Sequence, residues 1–347
     1  AAKPTAYPVA RDLGDLVACV ADANPDKAAI VFQDRILTYR ELDQRSNQMA
    51  AMLKERGVGP DIRVGLFMGR APETMVALLG VIKAGGCYVP LDPAYPQERL
   101  ARMMDNARMA LLLTQPQLRD AVPSAAPEIL VVDAAFELVR NQPVVAVAGG
   151  ASPDHLCYVV YTSGSTGQPK GVAMTRRAML NLIQWQNTVS TPAPGGRTFQ
   201  YAAFSFDVSV QEIFSTWLAG GTLVLVPEEI RRDPIQLLRL AAEAGVQRWF
   251  LPYAALQQLA LAAEATGVYP GALRDVITAG ETLRITPEIR AFFQHLTSCR
   301  LHNQYGPSET HVATAFLLPE NPAAWPELPS IGGPVANTQL ALLDENG

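Results

Sequence analysis

Between Tyr161 and Val172 the chain reads YTSGSTGQPKGV, with three glycines and five hydroxyl side chains around a single lysine. Glycines let backbone N–H groups converge on an anion, hydroxyls add donors and Lys170 brings charge. Thr162, Ser163, Gly164, Ser165, Thr166, Gly167 and Lys170 therefore have the chemistry of a phosphate-holding loop. The spacing is not that of G-x-x-x-x-G-K-[ST], because Pro169 precedes the lysine and Gly171 follows it. A flexible Gly/Ser linker has the same composition, but the strand-like run before it (156–162) and the lysine within it shift the balance. A second cluster, NQYGPSET (303–310), puts an aromatic ring, a Gly-Pro turn, a hydroxyl and a carboxylate within a few residues of a short predicted strand, RLHNQ.

The elements that must hold these clusters follow from hydrophobic pattern. Short β-branched runs at 62–68, 110–114, 129–133, 156–162, 222–227, 248–252, 275–280 and 338–344 read as strands. Helical patterns lie between them. One runs from Tyr39 to a capping glycine, Gly57; another opens on Asp233-Pro234 and a third on Thr286-Pro287, each an N-cap residue followed by proline in the first turn. Segments 141–154 and 191–197 read as connections. Alternating strands and helices predict α/β architecture with mainly parallel sheets covered by helices.

Composition narrows the class. The 347 residues carry 49% apolar and 18% charged side chains, with no apolar run of membrane-span length, so a soluble globular protein is expected and no membrane partner. A net charge of −5 without a dense Lys/Arg run argues against nucleic acid as a partner. Cys19, Cys87, Cys157 and Cys299 lack metal or disulfide spacing, and the N-terminus lacks a signal-peptide layout, which fits a cytoplasmic location.

The decamer Thr162–Gly171 resembles the phosphate-loop signature of the adenylate-forming superfamily, which includes acyl-CoA synthetases, luciferase and the adenylation domains of nonribosomal peptide synthetases. Four more segments match the last branch in order: LTYREL (37–42), IKAGGCYVPLDPAYPQERL (82–100), FDVS (206–209) and NQYGPSET. The first two read as packing and turn motifs and are assigned no chemistry.

The resemblance implies the N-terminal core of an adenylation domain: a layered αβαβα fold of two packed α/β halves, approximately 1–190 and 191–347, with part of a small β-barrel. It implies that ATP and an amino acid give aminoacyl-AMP and pyrophosphate, with Mg²⁺ as cofactor. A phosphopantetheine thiol on a carrier domain then takes the acyl group, beside a condensation domain, in peptide-antibiotic biosynthesis. Lys170 and the loop would hold the β- and γ-phosphates, and Tyr305 would lie against adenine. Asn303 would bond its amine, Ser308 would contact the α-phosphate, and Glu309 would hold the metal; Gly280 and Glu281, from ITAGETL, would lie near the nucleotide. Ser308 stands where threonine is more usual.

The family's substrate pocket maps onto Asp207, Val208, Gln211, Phe250, Ile277, Ala279, Gln304, Val312 and Ala313. Asp207 would pair with the α-ammonium, although a capping or exposed aspartate is the ordinary reading of that residue. The rest is small and mostly apolar, which favours a compact uncharged side chain. The string resembles the code for proline, with Gln304 where histidine is more usual. Hydroxyproline, methylproline, pipecolate and small aliphatic residues stay open. The family's carboxylate-binding and catalytic lysines, ribose-binding aspartate and mobile C-terminal subdomain lie beyond residue 347. These residues are therefore expected to bind ligands weakly and to adenylate poorly or not at all. An acyl-CoA or aryl-acid ligase, and a non-catalytic nucleotide-binding module, are the alternatives.

Overall fold

In the computed structural model the alternating pattern resolves into two sheets; it describes residues 5, 12–163, 169–190, 192, 195–296 and 298–343, the Ser163 side chain excepted. Helix α1 (Leu13–Ala23) precedes an antiparallel pair, β1 (Ala28–Phe32) and β2 (Arg35–Thr38), and α2 (Tyr39–Glu55) follows. Next come β3 (Arg63–Phe67), α3 (Pro72–Lys83), β4 (Cys87–Pro90), α4 (Gln97–Ala107), β5 (Leu111–Thr114), β6 (Glu128–Val131), β7 (Leu156–Ser163) and β8 (Pro169–Thr175). Strands β3 to β8 form a six-stranded sheet in the order β6-β5-β3-β4-β7-β8, parallel except for the β7–β8 hairpin.

The remaining elements are α5 (Arg176–Val189), β9 (Arg197–Gln200), α6 (Val208–Leu218), β10 (Thr222–Leu225), α7 (Pro234–Glu243) and β11 (Val246–Leu251). After them run α8 (Tyr253–Thr266), β12 (Asp275–Thr278), α9 (Pro287–His295), β13 (Arg300–Tyr305), β14 (Thr314–Leu317) and β15 (Gly333–Pro334). Their strands join β1 and β2 in a nine-stranded sheet ordered β15-β14-β13-β12-β11-β9-β10-β1-β2. The second sheet thus draws strands from both ends of the chain.

Five layers result. Helix α4 covers the outer face of the six-stranded sheet, and α7, α8 and α9 cover that of the nine-stranded one. Between the sheets lie α1, α2, α3, α5 and α6, whose apolar side chains join one core with residues of both. Burial on both faces explains the unbroken apolar runs of β4, β5 and β10. In the central layer α3 is buried from Pro72 to Ile82 and α6 from Ser209 to Trp217. Gly80 lets α3 approach α2: a Cβ there would stand 2.6 Å from that of Met49.

The capping signals hold. Asp233 accepts from the backbone of Ile235 and Gln236, Thr286 from Ile289, and Gly57 ends α2 at φ +79°. Seven of the strand-like runs are strands, with ends displaced by a residue or two. The eighth, expected over 338–344, is not a strand over its described residues: 338–343 pair with no strand, and Leu342 and Leu343 are exposed. A β-pattern forms a strand only where a neighbour takes its backbone hydrogen bonds, and none of the described residues lies in register there. No helix of the described residues is long and apolar enough to cross a membrane.

One polar junction ties the two sheets. Arg70, just past β3, donates to the carbonyls of Gln200, Tyr201 and Ala202 and to the Gln200 side chain, all past the end of β9 or within it. Glu212 of α6 accepts from Tyr201 N (3.1 Å), Ala202 N (3.0 Å) and Gln200 Nε2 (3.0 Å). Burial pushes the Glu212 carboxyl up to about 7, against the pull of these donors and of Arg70. The folded protein therefore holds this proton more tightly than the unfolded chain, whose glutamate titrates near 4.5, and the group's contribution to stability falls as pH rises from 4.5 to 7. The urea midpoint of the native chain is expected to drop more between pH 5 and pH 7.5 than that of Glu212→Gln; parallel profiles would mean that Glu212 is ionised throughout.

Candidate active site

In parallel pairing, residues that face each other across strands point to the same side of the sheet, and side chains two apart share a face. Phe250 pairs with Ile277, and Ile277 with His302. Arg248, Phe250, Asp275, Ile277, His302 and Gln304 therefore line the face that meets α5 and α6, in two layers along the strands.

The lower layer is ionic. Arg248 is 1% exposed and donates to Ser190 O (2.6 Å), Ser215 Oγ (2.8 Å) and Thr216 Oγ1 (3.1 Å), with Cζ 5.4 Å from the Phe250 ring centroid. Burial lowers its guanidinium to about 10, opposed by Asp275 and Glu212. Asp275 accepts from Ser190 Oγ, from both Arg300 nitrogens that face it and from His302 Nε2 (2.8 Å). Burial alone would raise its carboxyl; the hydrogen bonds and charge of His302 and Arg300 hold it below the usual range.

One helical turn away, at i−4 on both helices, lies the upper layer: Gln186 against Ser190 on α5 and Gln211 against Ser215 on α6. Gln211 Nε2 reaches Gln304 Oε1 at 2.9 Å, so two of the sequence-predicted pocket residues touch. Phe250, Ile277 and Gln304 are buried, as is Val312, whereas Val208, Ala279 and Ala313 are partly exposed.

Asp207 occupies the N-cap of α6, where its Oδ1 accepts from Val208 N at 2.8 Å. The capping role and the site role are compatible, because a helix N-terminus favours an ionised carboxylate. Tyr158 on β7 lies close enough for Asp207 to act on it: burial first, and the Asp207 charge second, push its phenol up, and its buried hydroxyl has no hydrogen-bond partner.

Strands β7 and β8, which flank the phosphate-type sequence, pair as an antiparallel hairpin. Thr162 pairs with Lys170 and Ser163 with Pro169, and Lys170 is exposed. Gly164, Ser165, Thr166 and Gly167 lie outside the described residues, as does the side chain of Ser163. At the end of β13, Asn303 Nδ2 donates to Ser330 O (2.9 Å), and the Tyr305 ring is 51% exposed. The turn that follows is tight: a Cβ on Gly306 would stand 1.6 Å from His311 O. Ser308 is partly exposed and Glu309 exposed. Gly280 adopts φ +86° past the end of β12, and Glu281 accepts from Ala254 N (2.8 Å) in the first turn of α8. Phe250, Ile277, Ala279, Gly280, Asn303, Gln304 and Tyr305 thus lie at or just past the carboxyl ends of β11, β12 and β13, where open α/β sheets bind ligands.

Sequence reasoning passed over Gln186, Arg248 and Tyr158. Gln186 had a signal: it lies three and four residues beyond Ile183 and Leu182, on the buried stripe of α5, where a polar residue needs a reason.

A family model described as AMP-binding enzyme matches residues 18–347. The chain is 39% identical over 340 residues to Tyrocidine synthase 2 of Brevibacillus parabrevis, covering 98% of this chain and 9% of that protein. It is 38% identical over 325 residues to Gramicidin S synthase 2 of Brevibacillus brevis, covering 93% and 7%. The chain therefore spans less than a tenth of these curated relatives. Among solved structures it is similar to the nonribosomal peptide synthetase FmoA3 (S1046A), with TM-score 0.85 and 30% identity over 96% of this chain and 35% of that one. The form of that protein bound to α-methyl-L-serine-AMP matches with TM-score 0.88 and 29% identity over 99% and 38%.

Proposed function

The chain belongs to the AMP-binding enzyme family, and from that premise we propose that it activates an amino acid with ATP, giving aminoacyl-AMP and pyrophosphate. The observation that carries this reading is its likeness, over 99% of its length, to a structure holding an aminoacyl adenylate. The substrate carboxylate attacks the α-phosphorus, and the oxygen bridging to the β-phosphorus leaves with pyrophosphate. Such transfer depends on alignment and charge neutralisation.

Lys170, exposed beside Thr162 on the β7–β8 hairpin, is suited to steady the departing phosphates, with the loop of Ser163, Gly164, Ser165, Thr166 and Gly167 supplying further donors. Tyr305 offers a half-exposed ring to adenine, with Asn303 and Gly280 at neighbouring strand ends and Ser308 past the turn. Among the described residues no group of three or more His, Cys, Asp or Glu side chains could hold a metal. A single exposed carboxylate, Glu309, fits a hard cation that takes its other oxygens from phosphate, as Mg²⁺ does. When bound, the cation would offset phosphate charge.

Asp207 at the N-terminus of α6 supports an α-ammonium partner, which a fatty or aryl acid lacks. Phe250, Ile277 and Val312 restrict the side chain to a compact one, and the residue string favours proline or a proline analogue. The product would pass to a phosphopantetheine thiol on a carrier domain within an assembly of the kind that the relatives' names describe, with a condensation domain and a C-terminal subdomain as neighbours.

Two substitutions separate the two halves of the site. Lys170→Ala is expected to weaken binding of a non-hydrolysable ATP analogue by about 10–100-fold, the worth of one charge-assisted hydrogen bond. It should leave a prolyl-sulfamoyl adenosine, which has no β- or γ-phosphate, little affected. Asp207→Ala should do the reverse. Thermal midpoints with saturating ligand read both, since ligand at a hundred times its Kd adds ~2.7 kcal/mol to stability. A fatty-acyl analogue that shifts the midpoint as far as the prolyl one would overturn the amino-acid reading.

A further inference from the structure

Gln186, Gln211 and Gln304 are each at most 2% exposed, and they form a closed triangle of amides. Gln211 Nε2 donates to Gln186 Oε1 (2.5 Å) and to Gln304 Oε1 (2.9 Å), and Gln304 Nε2 donates to Gln186 Oε1 (2.8 Å). Gln304 thus spends both of its polar atoms. Gln211 puts its nitrogen into two contacts and Gln186 its oxygen into two, so Gln211 Oε1 and Gln186 Nε2 are left buried without a partner.

The kind of these two leftover atoms does not depend on which way the amides are turned. Oxygen and nitrogen of a side-chain amide exchange places by a half-turn. Yet the atoms by which Gln211 and Gln186 bond each other must be one donor and one acceptor. Their remaining atoms are then also one donor and one acceptor, in either setting. The triangle always leaves such a pair, and burial takes both members away from the bulk water they bonded in the unfolded chain.

Resting on the reading of Gln211 and Gln304 as part of the substrate pocket, we propose that the amino acid recognised here carries on its side chain a neutral group that both donates and accepts. A hydroxyl is the smallest group of this kind, and in the proline class this means a hydroxylated pyrrolidine. Gln186, which the pocket string omits, is a specificity-determining residue. A hydrocarbon side chain leaves both amide atoms unpaired. A carboxylate matches only the donor, and an ammonium only the acceptor.

The test compares sulfamoyl adenosines of proline, 4-hydroxyproline in both ring configurations and 4-methylproline, with a fatty-acyl control, by calorimetric titration of the native chain. One hydroxylated compound is expected to bind about 10–100-fold tighter than the prolyl and methylprolyl compounds. In Gln186→Leu that preference is expected to vanish, because the triangle loses a vertex. A prolyl or methylprolyl compound that binds the native chain as tightly as the better of the two hydroxyprolyl ones would overturn the proposal, whether or not the variant folds. If no aminoacyl compound exceeds the fatty-acyl control, the failure lies instead in the amino-acid reading beneath it.

Discussion

The interior charge of Arg248 constrains everything around it. A buried guanidinium is costly unless its donors are met, and here they are met by a carbonyl at the end of α5, two hydroxyls of α6 and the Thr198 hydroxyl of β9. Those partners sit on three different elements. Satisfying one side chain of β11 therefore sets the register of both helices against the sheet, and a slip of either by a turn would strand the charge.

The site is built on that register. Gln186 and Gln211 stand one turn from Ser190 and Ser215, and Gln304 stands two residues from His302, the partner of Asp275. The amide triangle is thus a second storey on the ionic layer, placed by the same geometry. Because α6 is buried along most of its length, Asp207 at its N-cap is held by a helix that packing leaves little freedom to shift. The Glu212 and Arg70 junction fixes the other end of the segment leading into α6. Gln211 and Gln304 are thus held in the packed centre of the molecule, whereas Thr162 and Lys170 lie on a hairpin at the edge of the six-stranded sheet.

The relation between the two sheets also follows from the central layer. Helix α3, apolar almost throughout, could be stable only between two surfaces. The β1–β2 pair, from the beginning of the chain, reaches across to β10 of the nine-stranded sheet. Long-range pairing of this kind leaves no local mark, since each strand alone is only a short apolar run.

Much was legible in one dimension because its causes are local. The capping residues Asp233, Thr286 and Gly57, the parallel-strand runs and the order of the five motifs depend on neighbours in sequence, and the α/β class and its layering could be read from them. The pocket string named Gln211 and Gln304 but could not say that they touch. What only the tertiary structure decided is how polar groups pair across elements. Residues 338–343 have a strand's pattern without a strand's partner. Asp207 caps α6 through a bond from Val208 N. Gln186 meets Gln211 and Gln304 because α5 packs against α6 and β13 there. Hydrogen-bond satisfaction is a property of partners brought together by folding, and a linear pattern records the residues that need partners without recording where they find them.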